Sequence, residues 1–182
     1  MQTYYKIMGF LNSPEVLSLL FDNRFFLVLF VIVLSNLINS SYRSLYLSAL
    51  INVPGTALHE MMHFFVGGAL NAQPVRFSIF PKKDEYGNYV MGAVGFKNIT
   101  FYNAIPSALA PLLLLPIGFF VNRYLLPVIT PSFFNYIFYL LLQTVIIQNA
   151  MPSSTDFKVA FKNKFGVLLY MVLAGLIVSL II

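Results

Sequence analysis

FFLVLFVIVLSNL, from Phe25 to Leu37, carries no charge and only two polar side chains, Ser35 and Asn36. Arg24 leads into it, and the apolar character extends to about Ser41. A helix of about 17 to 25 such residues crosses roughly 30 Å of hydrocarbon, so the stretch reads as a transmembrane span. Working outward, four more runs of this kind follow: residues 44–70, containing Pro54-Gly55; 104–121, with Pro106, Pro111 and Pro116 spaced through it; 132–149; and 165–182. Their prolines predict kinks in the second and third spans, tolerated where neighbouring helices or a cavity satisfy the freed carbonyls.

Composition points the same way. Of 182 residues, 59% are hydrophobic, 16% aromatic and 9% charged, and the mean hydropathy is +0.80. A soluble domain carries about 25% charged residues, so most soluble enzyme folds are excluded, and so is disorder. The net charge of +5 reads as loop anchors at lipid headgroups rather than a grip on nucleic acid. Absence of cysteine excludes disulfides and thiol chemistry. The expected fold is an all-α polytopic membrane protein, one embedded domain over residues 1–182, with five transmembrane helices and a small β-hairpin between the second and third.

Two segments lie outside the spans. Ser13-Pro14-Glu15 is a helix start, with Ser as cap, Pro in the first helical position and Glu near the positive end. A short interfacial helix to Phe21 is expected, and it lacks the pattern of a cleaved signal sequence. In the loop 71–103, Val75, Phe77 and Ile79 alternate with Arg76 and Ser78, and Tyr89 to Phe96 is a second extended run. The polar stretch Lys82 to Asn88 between them predicts a hairpin turn. Gly92 and Gly95 in the second arm either weaken it or admit another backbone.

Five crossings place Lys6, Arg24, Arg76, Lys82, Lys83, Lys97, Lys158, Lys162 and Lys164 on one side, and only Arg43 and Arg123 on the other. The asymmetry predicts that the first side is cytoplasmic, with the N-terminus in and the C-terminus out.

Both histidines of the chain fall in one pentapeptide, His59-Glu60-Met61-Met62-His63. A shuffled chain of this composition would show HExxH roughly once in five thousand trials. On a helix, residues four apart share a face, so both imidazoles can bind one zinc ion. Glu60 is then placed as general base toward the water that the metal activates. Two His and a Glu inside a span are costly unless they have a function. Catalytic zinc sites take three protein ligands, and with no other His and no Cys the third must be a carboxylate. The extended HExxHxxGxxH pattern fails at Val66 and Ala69. Asp84 and Glu85 in the hairpin turn and Asp156 after the fourth span are the downstream candidates. The bland alternative for Asp156 is a cap on a helix over Phe157 to Phe161. By topology, His63 lies seven residues before Leu70, roughly 10 Å below the cytoplasmic end of its span, and Asp156 lies on that same side.

A membrane helix with HExxH, a hairpin-like loop, and a later helix ending in Asn149-Ala150-Met151-Pro152 before Asp156 resembles the site-2 protease family of zinc intramembrane metalloproteases. The family's second motif is Asn-x-x-Pro-x-x-x-x-Asp-Gly. Here Asp156 lies one residue closer to the proline, and Phe157 replaces the glycine. The resemblance implies a minimal, divergent member without a PDZ domain. It also implies His59, His63 and Asp156 as zinc ligands, Glu60 as base, and Asn149 as a polar group assisting at the scissile carbonyl.

The expected activity is zinc-dependent hydrolysis of peptide bonds in or near transmembrane segments. The expected partners are a transmembrane substrate, the bilayer and a gating or adaptor membrane protein, with no nucleic acid. The competing class is a catalytically silent binding or regulatory membrane protein, against which the intact Glu60 argues. A zinc carrier is weaker still, because the chain has no repeat halves and few ligands along a path.

Overall fold

The structure, a computed structural model, describes residues 2–22, 24–40, 45–83, 89–90 and 92–181. It is mostly helical. The elements run α1 (Gln2–Leu11), α2 (Pro14–Asp22), α3 (Arg24–Ser40), α4 (Leu45–Ala69), β1 (Pro74–Ser78), β2 (Lys82–Lys83), β3 (Tyr89–Val90), β4 (Ala93–Phe96), α5 (Ala104–Ala108), α6 (Leu114–Tyr124), α7 (Phe133–Gln148), α8 (Ser154–Phe161) and α9 (Lys164–Ile181). Contacts divide the chain into two compact units, residues 1–48 with 115–148, and residues 49–114 with 149–182.

In the first unit, α2 begins at Pro14, the helix start legible in Ser13-Pro14-Glu15. It packs on α3 and α7, which also pack on each other. Tyr136, Tyr139 and Leu140 form the core, with Phe21, Phe30 and Val121 against them. Polar groups on α7 find partners inside the unit. The Tyr139 hydroxyl donates to the Asn122 side-chain oxygen, and Gln143 Nε2 donates to the Gly118 carbonyl at 3.2 Å.

The second unit is built around α4, which runs unbroken through Pro54. Its C-terminus closes in a Schellman arrangement. Ala72 N–H donates to the Gly67 carbonyl at 2.8 Å and Asn71 N–H to that of Gly68 at 3.2 Å, with Asn71 left-handed at φ 58°. Asn tolerates that conformation better than most residues. The chain then enters β1, which pairs antiparallel with β4 through Arg76–Gly95, Phe77–Val94 and Ser78–Ala93. β2 pairs with β3 through Lys82–Val90 and Lys83–Tyr89. The hairpin read from the alternating pattern is therefore present as two short pairs. The Phe96 ring of β4 covers Gly67, where a Cβ would overlap it, and Phe64 meets Phe77 edge to face at 5.8 Å.

The proline-rich run 104–121 is divided rather than merely kinked. It comprises α5, a 3-10 turn over Ala110–Leu113, and α6. Pro106, Pro111 and Pro116 each fall in the first turn of one of these segments, where an N–H is not needed. By length and composition, Ala110–Val128 and Lys164–Ile181 are long and apolar enough to cross a membrane, and Phe133–Gln148 is a shorter apolar helix. α9 is anchored near its start. The Phe101 carbonyl lies over Gly166, where a side chain would collide with it, and the Tyr170 hydroxyl donates to the Tyr102 carbonyl at 2.6 Å.

Candidate metal centre

His59 and His63 lie one turn apart on α4, and their Nε2 atoms are 3.2 Å from each other. His59 Nδ1 lies 2.9 Å from the Asn149 carbonyl oxygen, and His63 Nδ1 lies 2.8 Å from that of Ser107. A carbonyl only accepts, so each Nδ1 carries the hydrogen and, in the neutral rings, each Nε2 presents a lone pair. Two lone pairs aimed at the same space repel one another unless a cation lies between them.

Asp156 supplies the countercharge. Its Oδ2 lies 3.5 Å from His59 Nε2 and its Oδ1 lies 3.3 Å from His63 Nε2. Ligands on a tetrahedral ion with bonds of 2.0 to 2.1 Å are separated by about 3.3 Å. The separations of 3.2, 3.3 and 3.5 Å, the last two made by different oxygens of Asp156, are close to that spacing, and the residues fit a metal ion. His59, His63 and Asp156 form a group that can hold one. The metal is left open by three nitrogen and oxygen donors alone.

Asp156 reaches this position because α8 begins just before it. Ser153 is the N-cap. Its Oγ accepts from Asp156 N–H at 3.2 Å, while Asp156 Oδ2 accepts from Ser153 N–H at 2.7 Å. This is a reciprocal capping box. The capping role and the ligand role, alternatives in the sequence, belong to one side chain. Burial raises the carboxyl's proton affinity. The neighbouring His59 and His63 rings and the Ser153 N–H more than offset that and hold Asp156 well below the usual carboxylate range.

α5 packs against α8, and Asn103, just before α5, ties it to the end of α4. The fully buried Asn103 side chain accepts from Thr100 N–H at 2.7 Å. It donates to the carbonyls of Leu70 at 3.3 Å and Asn98 at 3.0 Å. That clamp carries Ser107 to His63. Glu60 is buried, 7% exposed, and its carboxylate lies against Gly92 at the mouth of β4, where a Cβ would come within 2.6 Å of Oε1. Gly92, read from sequence as weakening the arm or admitting another backbone, is met instead by the Glu60 and Thr56 side chains.

Of the residues singled out from sequence, His59, His63 and Asp156 converge and Glu60 sits beside them. Asn149 is present through its main-chain carbonyl, while its side chain lies against Gly55. Asp84 and Glu85 lie outside the described residues. Sequence reading missed Ser107 and Asn103. Ser107 acts through its carbonyl, which no side-chain pattern reveals. Asn103 looks like an ordinary cap before a helix, yet its side chain makes no cap hydrogen bond to α5. No family model, curated protein or solved structure matches the chain.

Proposed function

We propose that the protein is a zinc-dependent intramembrane endopeptidase, a minimal and distant relative of the site-2 proteases. The observation that carries this reading is the convergence of the His59, His63 and Asp156 donors on the helix that also bears buried Glu60. Three protein donors leave a fourth tetrahedral position for water or substrate, the pattern of catalytic rather than closed structural zinc sites. A sequence with no soluble character and two helices apt to cross a bilayer supports a membrane setting. The five-span arrangement with a cytoplasmic N-terminus is part of the proposal.

Zinc held by the three ligands would supply Lewis acidity, polarising the scissile carbonyl and acidifying an attacking water. Glu60 takes the proton from that water and passes it to the leaving amine. Ser107 and Asn149 hold the imidazoles in the tautomer that leaves Nε2 available. A helical substrate must unwind to expose a peptide bond. Among the described residues β1 and β4 form a two-stranded sheet, so an extended segment can add to its outer edge. Gly92 brings the β4 end of that sheet next to Glu60.

The test is cleavage of membrane-anchored reporter peptides by purified, zinc-loaded protein, with Glu60→Gln as control. Cleavage by the wild type and none by the variant, with zinc retained in both, is the expected result. Equal cleavage by both would reject Glu60 as base. Bound zinc without turnover of any reporter would favour the silent regulatory reading.

A further inference from the structure

Gly55 and His59 are four residues apart on α4 and therefore share a face, one turn above the other. Both meet the same residue. The Asn149 side chain lies in the space that a Cβ on Gly55 would fill, with all three of its terminal atoms overlapping that position. The Asn149 carbonyl accepts from His59 Nδ1 at 2.9 Å. Asn149 thus grips α4 at two successive turns, by its amide at Gly55 and by its main chain at His59. Pro54 precedes the notch, and Gly55 itself is buried.

We infer that Gly55 and Asn149 form a lock that positions His59 for the metal. The inference rests on the metal-centre reading and assigns Asn149 a different task from assistance at the scissile carbonyl. Gly55 opens a socket in α4, and the Asn149 amide seats in it. That seat fixes the path of the chain between α7 and α8, and the carbonyl at 149 in turn holds the His59 ring with Nε2 toward His63 and Asp156. Neither residue touches the reacting atoms, so both are positioning residues. A carbonyl displaced by an ångström would let the ring rotate or take the other tautomer, and the donor set would open. Losing such a partner behind a metal ligand costs 10- to 100-fold in affinity.

The experiment is cobalt titration of the metal-stripped full chain in detergent, read by the visible absorption of tetrahedral Co2+. Wild type, Gly55→Ala, Asn149→Ala and the double variant are compared. Alanine is the better helix former, so a purely structural account of α4 expects Gly55→Ala to be neutral or stabilising. The lock instead predicts a 10- to 100-fold loss of cobalt affinity in Gly55→Ala. It further predicts recovery of most of that loss in the double variant, where the new methyl occupies the vacated socket. If Gly55→Ala fails to fold, recovery of a folded, cobalt-binding double variant is the supporting result. Wild-type affinity in Gly55→Ala, or a double variant no better than Gly55→Ala, overturns the lock. So does an Asn149→Ala protein that binds cobalt normally and loses only turnover. A wild type that binds no cobalt overturns the metal-centre reading itself, a result distinct from the others.

Discussion

The Asp156 carboxylate faces backbone on one side and imidazole on the other. Its Oδ2 accepts Ser153 N–H at 2.7 Å while the two oxygens lie 3.3 and 3.5 Å from the histidines. Substitutions therefore separate the two duties. Asp156→Ala removes both and should abolish cleavage and bound zinc while costing about 1 kcal/mol for the lost half of the capping box. Asp156→Asn can still accept from Ser153, so it should keep the folded protein but bind metal weakly as a neutral ligand. Thermal unfolding alongside metal analysis checks the pair. Full activity in Asp156→Ala would remove it from the ligand set. His59→Ala and His63→Ala should each lower zinc from about one ion per chain to near none with the protein still folded, since packing holds α4 in place. Stoichiometric zinc in the double His variant would end the assignment.

At the level of elements, α4, α5 and α8 carry the centre, and Asn103 binds the first two together. Asn103→Leu leaves the Leu70 and Asn98 carbonyls and the Thr100 N–H without this partner, which costs about 1 to 3 kcal/mol. It should also weaken zinc binding roughly tenfold by releasing Ser107 from His63. Unchanged affinity in a destabilised variant would confine Asn103 to stability. The elements that sequence made legible were those with a local signal: α2 from Ser13-Pro14, the hairpin from its alternation, α4 from its apolar length and HExxH. The partition of 104–124 was not, because prolines in a long apolar run read equally as kinks or as starts. The break accompanies the packing of α5 on α8. The candidate metal centre was legible in its donor side chains and not in the main-chain groups behind them.

For the whole molecule, the proposed membrane insertion makes the firmest demand. A chain without cysteine can be mapped by single cysteines at Asn88, Asn122 and Asn163. The five-span proposal expects Asn88 and Asn163 to label from the cytoplasmic side and Asn122 from the other. Asn122 labelling together with Asn88 would reject the span count. The basic side should also be the side of the metal centre, because Asp156 lies in the same short segment as Lys158, Lys162 and Lys164.

Both imidazoles lean on carbonyl oxygens, and every amino acid at 107 or 149 brings one. Substitution cannot delete the acceptor; it can only move it. In a saturation library selected for zinc retention, Ser107 should therefore accept alanine and glycine and reject bulk, because its side chain is fully buried. Intolerance should fall instead on Asn103 and Gly55, which never face the ion yet fix where the chain runs. The mutational record of such a centre is written one residue away from the chemistry, in positions that guard a path rather than a functional group.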